Sequence, residues 1–193
     1  MVVVSLVRTN ESLVGVVGEQ RVDLLLDLPG SRAGVRGECL GAKVGGYWRI
    51  EPNVDNLDPV GLLLGEYDGE PVYLRSEVHL TPYYAVSHAD ISGMVGEQEL
   101  QARAAPVEGP ADGPTVMGID GHFDGATITL FVTVMTDLSS AHINGIIGGH
   151  TVSVDATHTS VGGEYGGPAP LFPLLVGCLV NYMAHFVLIM WPG

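Results

Sequence analysis

Ile143-Asn-Gly-Ile-Ile-Gly-Gly-His-Thr-Val152 decides how this chain folds. Its form is apolar-x-Gly-apolar-apolar-Gly-x-x-x-apolar. The same form recurs as Leu13-Val-Gly-Val-Val-Gly-Glu-Gln-Arg-Val22 and as Ile91-Ser-Gly-Met-Val-Gly-Glu-Gln-Glu-Leu100. A second phrase also occurs three times, as Gly37-Glu-Cys-Leu-Gly-Ala-Lys-Val44, Gly65-Glu-Tyr-Asp-Gly-Glu-Pro-Val72 and Gly121-His-Phe-Asp-Gly-Ala-Thr-Ile128. Each phrase reads as a strand, a glycine turn and a returning strand. Asp68-Gly69 and Asp124-Gly125 are strong hairpin signals, because both residues tolerate the positive φ that a tight turn needs. The phrases recur at irregular intervals, so they predict duplicated hairpins and not a solenoid.

Outward from the turns the chain alternates with period two. Val72, Leu74, Ser76, Val78 and Leu80 fall on one face; Tyr73, Arg75, Glu77 and His79 fall on the other. Ala126, Ile128, Leu130, Val132 and Val134 oppose Thr127, Thr129 and Thr133. This is the pattern of antiparallel strands with one buried face. Strands are predicted at 2–8, 12–17, 20–26, 34–39, 42–50, 60–66, 71–80, 84–95, 97–104, 115–122, 126–136, 142–148, 150–158 and 160–165. So many strands curl rather than lie in one open sheet, and closure removes exposed edges. The predicted fold is all-β, a closed or nearly closed antiparallel barrel of about twelve short strands, followed by one hydrophobic C-terminal helix. The barrel spans 1–165, and 166–193 holds a Gly/Pro hinge and the helix within the same domain. The Pro/Gly-rich segment 105–114 is the one candidate linker.

The helix is predicted from the uncharged run Leu171 to Trp191, the longest apolar stretch of the chain. Pro173 suits a first helical turn, where a missing N–H costs nothing. Asn181 and His185 are four residues apart and share one face. A helix apolar nearly all round is either a membrane span or a core element. No Lys or Arg follows Arg103 to set membrane topology, which favours burial in protein.

The net charge of −14, with Lys43 as the single lysine, excludes a phosphate-tracking nucleic-acid binder. It also disfavours anionic lipid surfaces. Cys39 and Cys178 make no disulfide framework, and the N-terminus lacks the basic start of a signal peptide. These features predict a cytoplasmic protein, at most peripheral to a membrane.

Many short strands ahead of one apolar helix resemble the tubby C-terminal, phospholipid-scramblase and LURP-one superfamily. Gly177-Cys-Leu-Val-Asn-Tyr-Met183 is similar to the scramblase helix, with Asn181 in place of an acid. The resemblance implies a barrel that encloses its last helix. It does not carry over phosphoinositide binding, which needs a basic surface.

No catalytic or phosphate-binding motif is present, so the residues favour a non-enzymatic binding or scaffold module without a cofactor. An alternative is a membrane-associated or assembly subunit that uses residues 171–191 as an anchor or homo-oligomer helix. Another is a small barrel enzyme, or a binder of an apolar ligand, with a histidine-lined cavity. The candidates for that cavity are His150, His158, Asn181 and His185; strand parity turns His150 and His158 to the side of Val152 and Val154. No HxxxH or HxH spacing supports a metal there. His88 and Asp90 could pair on one strand face, the parts of a Ser87–His88–Asp90 triad without a nucleophile elbow. Asp68 and Asp124 are explained by their turns. Tyr47 with Trp48, or Tyr83 with Tyr84, could line a ligand cavity, although packing at the core or rim is the favoured reading.

Overall fold

A computed structural model describes residues 1–27, 32–52, 58–83, 85–109 and 113–177. Its fourteen strands form one closed antiparallel barrel in which every strand lies beside its sequence neighbour. They are β1 (Val2–Arg8), β2 (Ser12–Val17), β3 (Gln20–Asp27), β4 (Arg32–Cys39), β5 (Ala42–Pro52), β6 (Pro59–Tyr67) and β7 (Glu70–Leu80). The ring continues through β8 (Val86–Val95), β9 (Gln98–Pro106), β10 (Thr115–Phe123), β11 (Ala126–Val134), β12 (Ser140–Ile147), β13 (His150–Thr157) and β14 (Ser160–Tyr165). β1 pairs with β14, Val2 opposite Tyr165, and closes the wall. The expected count of about twelve is too low, because every predicted segment joins the ring as a separate strand. At the start of the 105–114 segment Val107 donates to the Val116 carbonyl at 2.8 Å, continuing the β9–β10 hairpin beyond its strands; residues 110–112 lie outside the described residues.

The period-two pattern sets the wall's polarity. Val4, Leu6, Val22, Leu24, Leu130, Ile143, Val152 and Val154 point inward and are buried. Outward positions carry the charge, including ion pairs of Arg49 with Glu51 (2.7 Å) and Arg75 with Glu77 (2.6 Å). Opposite Arg49 on one side and Arg75 on the other lies Leu62, an outward leucine only 8% exposed, covered by the arginine stems. The outer face also carries exposed apolar residues, among them Val3, Val7, Val16, Phe131 and Ile146. Among the described residues, no helix is long and apolar enough to cross a membrane.

The hairpins make the two ends of the barrel unlike. At one end are six two-residue turns, at 18–19, 40–41, 68–69, 96–97, 124–125 and 148–149. Leu40-Gly41, Asp68-Gly69 and Asp124-Gly125 have both residues at positive φ, the type I′ pattern; Gly18 and Gly96 have only the first, as in type II′. We call this the tight-turn end. The opposite end carries mostly longer connections, at 9–11, 28–31, 53–58, 81–85, 107–114 and 135–139, with one short turn at 158–159.

Three residues ahead of each tight turn stands an inward glycine: Gly15, Gly37, Gly65, Gly93, Gly121 and Gly145, with Gly163 in the same place before the chain leaves β14. A Cβ at any of these seven would lie 2.0–2.2 Å from a backbone carbonyl oxygen of the preceding strand. Gly145 shows why no other residue serves: its φ is +146°, and its added Cβ would meet the Thr129 oxygen at 2.1 Å. The two sequence phrases are therefore one device, a belt of glycine kinks that bends alternate strands into the curvature closure demands.

Beyond β14 the chain turns back into the barrel through the tight-turn end. Tyr165 donates its hydroxyl to the Pro168 carbonyl at 2.6 Å, and its ring meets Phe172 edge-on at 5.1 Å. α1 (residues 171–177) follows, with Pro173 in its first turn, as expected. Leu171, Phe172 and Val176 join the same core as the inward strand residues. The helix predicted from the apolar run thus begins inside the barrel wall; its continuation, including Cys178, Asn181 and His185, lies outside the described residues.

Candidate ligand cavity

Fourteen strands enclose more space than eight, at which inward side chains just fill a barrel. Here the inward residues are mostly Val, Leu, Ile, Ala and Gly, and a cavity of about 460 Å³ is left between them and α1. Val44, Leu63, Val72, Leu100, Ile128 and Ile147 lie nearer the tight turns. Trp48, Ile50, Ala89, Ala104 and Val132 line its long-loop half. Pro170, Leu171, Leu174, Leu175 and Gly177 supply the helical wall. Ser76 adds an inward hydroxyl. The volume lies in the range of small-molecule sites, and the lining is almost wholly apolar.

Trp48 reaches this cavity because Gly61 faces it across the β5–β6 pair. A Cβ on Gly61 would lie 2.2 Å from the indole. Of the two aromatic pairs that could line a cavity, Tyr47 and Trp48 border this one. Tyr83 is 91% exposed, and Tyr84 lies outside the described residues. A second, more open cleft of about 840 Å³ lies over β3–β6, where Gly34, Gly45, Gly46 and Gly65 leave the wall bare.

The buried polar groups of the interior are weak acids made weaker. Cys39 is fully buried beside Tyr67 and Tyr165, and burial pushes its thiol up to about 12. Burial, with smaller contributions from Cys39 and Asp68, raises Tyr67; burial first, then Tyr67 and Cys39, raises Tyr165. Arg8 is the one buried charged side chain among the described residues and donates to the Thr157 carbonyl at 3.0 Å. None of these is poised as a nucleophile or base at neutral pH.

Of the histidines expected to line the cavity, His150 and His158 do not meet there. His150 and His158 are both exposed. Parity gives the face of a strand but not the depth along it: His150 opens β13 at the tight-turn end, and His158 lies just past its other end. Eight residues of extended chain separate them, roughly 26 Å. Asn181 and His185 lie outside the described residues. His142, unremarked in the sequence, hydrogen-bonds Asp155 at 2.7 Å on the outer face. His88 and Asp90 do approach, at 3.6 Å, and Ser87 Oγ lies 3.2 Å from His88 Nδ1. Ser87, His88 and Asp90 are open to solvent and are not part of the cavity lining, although Ala89 between them is. Asp68 and Asp124 sit in their turns at positive φ, as expected.

Compared with protein-family models, curated proteins and solved structures, the chain matches none.

Proposed function

We propose that the chain is a non-enzymatic binding module that holds an apolar molecule inside its barrel. The observation that carries this reading is the cavity of about 460 Å³ lined by aliphatic side chains and by α1. An apolar guest gains from removing its surface from water, at about 25 cal/mol per Å² before the costs of association. The raised Cys39 and tyrosine pKa values argue in the same direction, since none of these buried groups among the described residues is a ready nucleophile or base.

The test is titration of the purified chain with the neutral fluorescent probe N-phenyl-1-naphthylamine. Saturable one-to-one binding is expected, competed by a long-chain fatty alcohol and weakened at least about tenfold in Ala104→Phe, which fills the long-loop half. An absence of saturable binding in both the full chain and a chain ending at Gly177 overturns the reading.

A second reading is favoured by one observation: α1, the described start of the uncharged run, lines this same cavity. In that reading residues 178–191 are the resident occupant, and the chain is a scaffold built around its own tail, the arrangement that the tubby-like resemblance implies. Probe binding only after truncation at Gly177 supports it. Equal binding with and without the tail argues against it.

A further inference from the structure

We propose that His79, His88 and Asp90 form a binding site for a zinc(II)-class cation on the outer wall, at the long-loop end of β7 and β8. The register places His79 directly across from His88, next to a shift in pairing between His79 and Leu80. The two rings stack at 4.4 Å and 24°. One ring nitrogen of each histidine and one Asp90 oxygen lie within 4.8 Å of one another.

The distances distinguish a cation site from a hydrogen-bonded cluster. His79 Nε2 is 3.3 Å from Asp90 Oδ2, and His88 Nε2 is 3.6 Å from the same oxygen. Both exceed the span of a good hydrogen bond. Ligands held about 2.0–2.1 Å from a tetrahedral zinc are separated by about 3.3–3.4 Å. Two edges of the triangle therefore stand close to the spacing a shared cation requires. On the same barrel, His142 and Asp155 show what a histidine–carboxylate pair does without a third ligand: they close to 2.7 Å.

The surroundings hold the three groups from behind. Ser87 Oγ lies 3.2 Å from His88 Nδ1, and Asp58 Oδ2 lies 3.7 Å from His79 Nδ1, so both Nε2 atoms are left facing Asp90. Asp58 is itself tied to the Leu80 amide at 3.2 Å. Arg103 donates to both Asp90 oxygens, to Oδ1 at 2.8 Å and more loosely to Oδ2 at 3.3 Å, and so fixes the carboxylate's orientation. Such outer partners fix the orientation of metal-ligating histidines and carboxylates. The side chains are 35%, 28% and 44% exposed for His79, His88 and Asp90, open enough for entry and for water as a fourth ligand. The net charge of −14 adds a field that gathers cations.

The experiment is calorimetric titration of the metal-stripped full chain with zinc chloride, with melting curves for every variant. One zinc per chain is expected. Affinity should fall at least about tenfold in H79A, H88A and D90N, and stay unchanged in H142A. Cobalt(II) should give the strong visible absorption of a tetrahedral site in the wild type and lose it in H88A. Zinc should also raise the melting temperature of the wild type and not of folded H88A, by mass action on the native state. No heat at millimolar zinc, or unaltered binding in the folded H79A/H88A double variant, overturns the proposal. Neither result touches the cavity, whose lining shares no residue with this cluster.

Discussion

The two ends of the barrel are built from the same hairpins and do different work. At the tight-turn end each reversal takes two residues, a glycine kink precedes every turn, and α1 enters with Phe172 and Tyr165 packed together. The other end carries the longer loops, the wider half of the apolar lining with Trp48 and Ala104, and outside it the His79–His88–Asp90 cluster. The contrast teaches that shape and chemistry are divided along the strands. Curvature and closure are fixed beside the turns, which leaves the far ends of the strands free to carry polar groups.

If that division is right, substitutions at the tight-turn end should cost the most. Gly145→Val, which adds a Cβ 2.1 Å from the Thr129 oxygen at φ +146°, should destabilise by about 3 kcal/mol or more, or abolish folding. Urea unfolding measures it, and a loss under about 1 kcal/mol would remove the belt from the account of closure. Phe172→Ala should follow, at about 3–5 kcal/mol, because the ring is only 1% exposed. A smaller loss would mean that α1 is loosely seated.

The next test compares reactivity. In a Cys178→Ser background, Cys39 should resist a thiol reagent at pH 8, because a thiol pushed up to about 12 is almost wholly protonated there and is fully buried. It should react fully in denaturant. Rapid labelling of the folded chain would show that the tight-turn end opens.

The smallest effect is expected on the outer wall of the long-loop half. A hydrogen bond from Arg103 is the main cause holding the Asp90 carboxyl below its ordinary value, with further help from the charge of Arg103 and from His88 and His79. A carboxyl lowered in the fold stabilises the native state above its unfolded pKa, and that contribution is lost as pH falls through the folded one. Arg103→Ala should therefore lower the melting temperature slightly at neutral pH, with the difference from wild type vanishing in acid. An Asp90 carboxyl that titrates identically in the variant, by carbon NMR, would break the assignment.

How much of this was legible beforehand differs between the two ends as well. The strands and their faces could be read because apolar alternation and Asp-Gly turns act over a few residues; Leu74 and Leu130 turned inward as parity required. The glycines of the repeated phrases were visible, but their shared role was not. It rests on the closeness of a neighbouring carbonyl, as between Gly37 and Asp23. Parity grouped His150 and His158 with Val152 and Val154, yet both are exposed, since a period of two carries no information about where a strand leaves the barrel. The meeting of His79 with His88 depends on the register between β7 and β8, which no local pattern encodes.

The strand order has a further consequence. Because each strand bonds to the next in sequence, only the β1–β14 pairing joins distant parts of the chain. The ring has a single seam, and loop-closure entropy falls almost entirely on that one step. A cut at Asp68-Gly69, with the end of β14 linked to the start of β1 where Tyr165 lies opposite Val2, would move the break without adding a seam, so folding speed should follow the position of the cut more closely than stability does.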